Sequence, residues 1–281
     1  MNIAPLCYAK GFRLVRQESR LLAQVSESKN TLLQPDEPAS FEVAHSDGNS
    51  PFVFICDHAG RRLPRSLGNL GVAKADLLSH IAWDIGIREV ALRLAASLGA
   101  YLVAQTYSRL VIDCNRPLSA PDSIVIRSAG IEIPGNRDLT PTAREQRVAE
   151  VFRPYHARVQ AELDRRNIAK QPTVLIAMHS FTPVFTGSPR PWHMGILYNR
   201  DKRLAHNLLH LLRGEQDLVV GENQPYAVSD TSDYSVVTYG ERRSIPHVEI
   251  EIRQDLILEA TGQKAWAERL ERLLLEASVE L

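Results

Sequence analysis

Little in this chain is in excess, and the shortages narrow what it can do. Neither sign of charge dominates: 33 Lys and Arg stand against 33 Asp and Glu. That balance removes any bulk electrostatic pull toward nucleic acid or an anionic membrane. Cysteine is scarce, and Cys7, Cys56 and Cys114 are far apart and odd in number. No disulfide framework and no CxxC pair is predicted, and a reducing cytoplasm suits such a chain. No apolar run approaches the roughly 18 residues of a membrane span. The first residues lack the long apolar segment of a secretory leader, so none is expected. Gly-rich phosphate loops of the GxxxxGK or GxGxxG kind do not occur. GxSxG is missing too, which argues against a hydrolase built on a nucleophile elbow.

What the chain does contain is most concentrated at residues 247–255, His-Val-Glu-Ile-Glu-Ile-Arg-Gln-Asp. Side chains alternate along a strand. Val248, Ile250 and Ile252 therefore share one face, and Glu249, Glu251 and Arg253 share the other. An apolar helical pattern follows at once over residues 256–275. A strand that feeds a helix belongs to an α/β fold, where the carboxyl ends of the strands form the ligand crevice. On an exposed edge strand such charges are merely solvated or salt-bridged; inside an α/β sheet they point to a site.

The rest of the chain alternates strand and helix. Residues 1–50 read as a peripheral extension, with a short helix over 12–25 and a polar loop over 27–49. An apolar strand over 51–56 ends at Asp57-His58-Ala59-Gly60. A helix is predicted over 74–98 with Gly99 as its cap, then a strand over 100–104. Thr140-Pro141 opens a helix that runs to about residue 167. Further strands are predicted over 173–178, 193–198 and 218–221, and a helix over 202–213. Two long polar stretches, 113–138 and 223–243, are loops of the length that usually carries function. The strands are mostly apolar throughout, which argues for a mainly parallel sheet covered on both faces. No linker splits it, so residues 51–281 read as one α/β domain.

Three groups of residues carry chemistry in this pattern. His58 and His179 sit where apolar strand runs stop, and neutral imidazole is the commonest protein ligand for zinc. A catalytic zinc takes about three protein ligands. Asp84, in Trp83-Asp84-Ile85-Gly86, is the choice for the third, with Asp57 better suited to orienting a histidine from behind. Glu251 is the candidate general base, and Glu249 competes with it from the same strand face. Arg109 and Arg116 flank a short apolar segment, with Asp113 and Asn115 between them. Arginine grips carboxylates through paired hydrogen bonds, Asn115 adds a polar contact, and Asp113 can hold an arginine in place. The bland alternative for this cluster is a set of structural salt bridges. Ser180 beside His179 is no nucleophile candidate, because neighbours on a strand face opposite ways.

These segments resemble those of the N-formylglutamate amidohydrolase family. The matching stretches are CDHAGRRLP at 56–64, WDIG at 83–86, YSRLVIDCNRP at 107–117, MHSFTP at 178–183, NQPY at 223–226 and HVEIEIRQDL at 247–256. They come in the family's order. The family is similar, distantly, to zinc carboxypeptidases and aspartoacylases, and three local echoes support that. His179-Ser180-Phe181 resembles a zinc-ligand motif, Glu251-Ile252-Arg253 a catalytic Glu-Leu-Arg, and Asp113-Cys114-Asn115-Arg116 a substrate-contacting Asp-Leu-Asn-Arg. The resemblance implies a mixed, mainly parallel sheet with helices on both faces. It implies Zn2+ held by His58, Asp84 and His179, with Glu251 catalytic and Arg109, Asn115, Arg116 and Arg253 binding substrate. The implied partner is a small acidic N-acyl amino acid, such as its N-formyl form. One departure stands out: the distant relatives carry HxxE, and here the position three after His58 is Arg61, so the third ligand comes from elsewhere. A carboxypeptidase-like enzyme on another small amide and a metal-free carboxylate-binding protein are the rival readings.

Overall fold

The structure, a computed structural model, describes residues 31–279 and 281. The helix predicted over 12–25 lies outside the described residues. The strands are β1 (Phe41–Ala44), β2 (Phe52–Cys56), β3 (Tyr101–Gln105), β4 (Arg127–Ser128), β5 (Ile131–Glu132), β6 (Val174–Phe181), β7 (Val184–Phe185), β8 (Ser188–Pro189), β9 (Met194–Leu197), β10 (Val220–Glu222) and β11 (His247–Arg253). The α-helices are α1 (Lys74–Leu77), α2 (Ile87–Leu98), α3 (Pro141–Arg147), α4 (Arg153–Ile168), α5 (Arg203–Leu212) and α6 (Ala260–Ala277). One sheet has the order β1-β3-β2-β6-β11-β9-β10, and β4–β5 and β7–β8 are separate small hairpins. β3, β2, β6 and β11 run parallel. β1 runs against β3, and β9 runs against β11. The sheet is mixed and mainly parallel, as expected.

Alternation decides what each face of this sheet does. Phe52, Phe54 and Cys56 of β2, Ile176 and Met178 of β6, and Val248, Ile250 and Ile252 of β11 enter the main core. There they meet α2, α5 and α6, whose apolar residues recur at helical spacing, as with Leu204, Leu208 and Leu212 of α5. Each such leucine, fully buried, contributes roughly 1.5–3 kcal/mol of transfer free energy. The intervening residues turn to the other face. Tyr101 of β3 takes a hydrogen bond there from Nε of Arg158 on α4, so α4 covers that side. His179 of β6, and Glu249 and Glu251 of the neighbouring β11, belong to the same side.

Several elements differ from the sequence expectation. The helix predicted over 74–98 is two pieces, α1 and α2, separated by turns at residues 78–86. Gly86 forces the break: its φ is 79°, and a Cβ there would lie 2.1 Å from the Ile257 carbonyl oxygen. Asp84 is therefore on a turn, not on a helix. Gly99 does cap α2, donating its N–H to the Ala95 carbonyl. β6 runs past its expected end to Phe181 and takes His179 and Ser180 into the strand. The helical rod from Pro141 passes through a π turn at Val148–Phe152 before α4. That turn lies just before Pro154, which has no N–H to give to a regular helix. Residues 41–44, within the stretch read as an extension, form the edge strand β1. No helix among the described residues is long and apolar enough to cross a membrane.

Candidate active site

Three parallel strands bring the site together at their carboxyl ends. β2 ends at Cys56 and delivers Asp57 and His58 in the next turn. That turn lies against the end of β3 so closely that a Cβ on Gly60 would sit 2.0 Å from the Thr106 carbonyl oxygen. The Asp84 turn is then fastened to it, its backbone N–H donating to the His58 carbonyl at 3.0 Å. His179 comes from β6. The two imidazoles lie edge to face with centroids 4.9 Å apart.

Both histidines are arranged in the same way. His58 Nδ1 is 3.4 Å from Asp84 Oδ2, and His179 Nδ1 is 2.9 Å from the same oxygen. On the far side of each ring stands another carboxylate. Asp113 Oδ1 meets His58 Nε2 at 2.6 Å, and Asp57 Oδ2 faces His179 Nε2 at 3.5 Å. All of these groups are buried. Ligand atoms of His58, Asp84 and His179 lie within 4.8 Å of one another. Two imidazole nitrogens and a carboxylate oxygen, with each ring backed by a further carboxylate, is a donor set that suits a zinc-type cation. The residues fit the metal that the resemblance implied, and Asp84 is the carboxylate positioned to complete the set.

Electrostatics follow from this crowding. Burial alone would lower the proton affinity of His179, but Glu249, Asp57 and Asp84 together raise its pKa well above the ordinary imidazole range. Burial works against the charged forms of Asp84 and Asp113 as well. Asp84 is nevertheless held below the usual carboxylate range by His58 and His179, and Asp113 by Arg109 and His58. Glu249 and Glu251 go the other way. Burial pushes Glu249 up to about 7, with Asp233 and Asp57 adding to it and His179 opposing. Burial likewise raises Glu251, aided by Asp84 and Glu249 against His179. One oxygen of each, Oε2, is buried with no hydrogen-bond partner among the described residues.

The remaining expected residues divide into two groups. Arg109, Asn115 and Arg116 line one cavity with His58, Asp84, His179, Glu249 and Glu251, of about 500 Å3. Arg109 donates from Nε and Nη2 to Asp113 Oδ2 at 3.1 and 2.7 Å. Asn115 Oδ1 accepts from the backbone N–H groups of Tyr234 and Ser235 at 3.1 and 3.0 Å. Its amide nitrogen is thus the group left to donate to a ligand. Arg116 gives Nε to Asp122 at 3.0 Å. Arg253 is not brought into this lining; it turns to Asp255 at 2.8 Å and toward the carbonyls of Pro191 and Trp192.

Sequence reasoning missed several participants. Ser235 donates from Oγ to Asp57 Oδ1 at 2.8 Å and fixes that carboxylate behind His179. No motif marks it, since 178 positions separate the pair. His80, Phe185 and Asp233 also line the cavity without having been singled out.

Fold and site together define a three-layer α/β protein with a buried histidine–carboxylate centre at the carboxyl ends of its parallel strands. The chain belongs to the N-formylglutamate amidohydrolase family, whose sequence model matches residues 50–258. Over 133 residues it is 31% identical to an N-formylglutamate deformylase of Pseudomonas putida, covering 44% of this chain. That match spans about half the length of the curated relative, 49%. A gene product of Agrobacterium tumefaciens with a known crystal structure is 35% identical, with a TM-score of 0.86 over 89% of this chain and 100% of that one. The crystal structure of an N-formylglutamate amidohydrolase from Ralstonia eutropha shares the fold at 20% identity, with a TM-score of 0.63 over 85% of this chain and 96% of the other.

Proposed function

We propose that this protein is a zinc-dependent amidohydrolase that removes the acyl group from an N-acyl amino acid, with N-formylglutamate, from the family's name, as the reference substrate. The observation that carries the reading is the convergence of both Nδ1 atoms on Asp84 with a carboxylate behind each ring. His58, Asp84 and His179 hold the metal. Bound there, zinc supplies a Lewis acid and an acidified water, with a pKa near about 7. Glu251 takes the proton from the attacking water and passes it to the nitrogen of the leaving amine. Its burial raises its affinity for that proton, and it stands beside His179 in the strand pairing. Arg116 and Asn115 bind the substrate carboxylate, while Arg109 braces Asp113 and through it His58. Glu249, deeper on the same strand, adds negative charge behind His179. The catalytic unit is assigned to residues 51–281, joined by β1. The buried free thiols of Cys56 and Cys114 suit a reducing cytoplasm as its location.

Metal analysis of the purified protein, followed by a hydrolysis assay on N-formylglutamate with and without added zinc, tests this reading. Stoichiometric zinc and zinc-dependent release of formate are expected. Carboxylate binding with no metal and no turnover would leave a binding protein instead.

A further inference from the structure

One cation at the rim of the cavity has no acid to pair with. Arg190 follows the β7–β8 hairpin and closes its base, its backbone N–H donating to the Pro183 carbonyl at 2.8 Å. Its guanidinium carbon lies 4.7, 4.8 and 5.8 Å from the ring centroids of Phe185, Tyr226 and Phe181. All three rings line the cavity. Nη1 donates to the Tyr226 hydroxyl at 2.9 Å. Among the described residues the Arg190 side chain makes no other hydrogen bond and meets no carboxylate. Phe185 and Tyr226 are 37% and 45% exposed, which places this group at the mouth, away from the buried acids of the centre.

The three arginines of the lining each face a carboxylate already. Arg109 spans Asp113 and Asp84, and Arg127 faces Glu132 at 3.2 Å. Arg116 gives Nε to Asp122 and Nη1 to the carbonyls of Asn115 and Ser232, which leaves Nη2 for the first substrate carboxylate. Arg190 is differently prepared. Rings packed against a guanidinium cover its faces and leave its edge free, and the edge is the planar fork that grips a carboxylate through paired hydrogen bonds. The Tyr226 oxygen accepts from Arg190, so its O–H remains to donate to the same ligand. The charge of Arg190 also reaches the lining: burial lowers the pKa of His80, and the positive fields of Arg109 and Arg190 lower it further.

Resting on the hydrolase reading above, we infer that Arg190, with the Tyr226 hydroxyl, receives the side-chain carboxylate of an acidic substrate and so determines its preference over an uncharged analogue. One carboxylate goes to Arg116 and Asn115, the amide lies over the histidine–carboxylate centre, and the second carboxylate reaches the rim. The β7–β8 hairpin is then a specificity element, with its three rings holding the arginine ready. An arginine that only braced the hairpin would act on charged and uncharged substrates alike.

The test compares kcat/KM for N-formylglutamate and N-formylglutamine on the zinc-loaded protein. N-formylglutamate should lead by about tenfold or more. Arg190→Gln should cut that lead by about tenfold or more, with the loss in the KM for N-formylglutamate. Tyr226→Phe should cut it by about two- to tenfold. Arg190→Lys should keep part of it, because the charge stays and the fork is lost, and this variant decides if circular dichroism shows Arg190→Gln to be misfolded. No lead in the parent, an equal loss on both substrates in Arg190→Gln, or a lead lost in Arg127→Gln and kept in Arg190→Gln overturns the inference. If no amide is cleaved at all, the hydrolase reading fails separately. Calorimetric Kd values for the two compounds then decide: a preference for N-formylglutamate that disappears in Arg190→Gln supports the assignment, and equal affinities in the parent, or a preference untouched in the variant, overturn it.

Discussion

His179 of β6 and Glu251 of β11 are paired residues in adjacent parallel strands. Their side chains leave the sheet on the same face, next to each other, at the level where His58 and Asp84 arrive from the turns. One residue belongs to the proposed metal centre and the other to proton transfer. Their separation is set by strand spacing, not by a flexible loop. This separation of roles gives the first two predictions.

Replacing His58 or His179 with alanine removes one of three donors and should abolish stoichiometric zinc binding. Elemental analysis after dialysis, with circular dichroism to confirm folding, reads this directly. Asp84→Ala should do the same. A variant that keeps full zinc and full turnover shows that its residue is not a ligand.

Glu251→Gln keeps the shape and removes the proton acceptor. Zinc should stay bound while kcat falls by about 100-fold or more. Glu249→Gln provides the control, since it sits two residues deeper on the strand. A larger loss in Glu249→Gln than in Glu251→Gln would exchange the two roles.

Arg116 and Arg253 should separate cleanly. Charged hydrogen bonds are worth roughly 1.5–3 kcal/mol, so Arg116→Ala should raise KM by about 10- to 150-fold with a smaller effect on kcat. Arg253 is occupied by Asp255 outside the cavity lining, so Arg253→Ala should change KM by less than about threefold. Steady-state kinetics of both variants is the measurement. Equal KM effects would remove the distinction drawn from their positions.

His156 gives a pH dependence of stability independent of catalysis. It is enclosed by Phe152, Tyr234 and Tyr239, and burial lowers its pKa from 6.5 to about 4 despite Asp57. The unfolded chain therefore binds the proton more readily than the folded one. Stability should fall as pH drops below about 6.5 and stop falling, on this account, near 4. Between pH 7 and 5 the loss is about 2 kcal/mol. Urea unfolding of the parent and of His156→Phe at both pH values isolates it: the parent should lose about 2 kcal/mol more than the variant. Identical losses would mean that His156 is protonated in the folded protein.

Much of this architecture is legible in the sequence for local reasons. The strand at 247–253 declares itself through alternation, and both of its faces are used as that pattern says. The helix read over 74–98 failed because two separate cores share one apparent period. Val90 and Leu94 pack on the sheet, while Leu77 and Ile81 join a satellite cluster with Leu70, Leu110 and Ile133. Phase alone cannot tell one partner from another. His58, His179 and Asp84 are recognisable as candidate ligands because histidines at strand ends and an acid beside a glycine are unusual. Ser235 escaped notice because its role is set by tertiary contact, with Asp57 178 positions away. The reversed directions of β1 and β9 have no local sequence signal either.

The two-faced composition of β11 makes misassembly self-reporting. A slip of one residue against β6 would turn Glu249 and Glu251 into the helix-covered core and push Val248, Ile250 and Ile252 into the cavity. Two buried carboxylates without partners would cost several kcal/mol, and the proton acceptor would be gone in the same stroke. The acids therefore act as an alignment key for the central strands. Recovered activity after refolding should track the correctly threaded fraction of molecules, with no partly active population between.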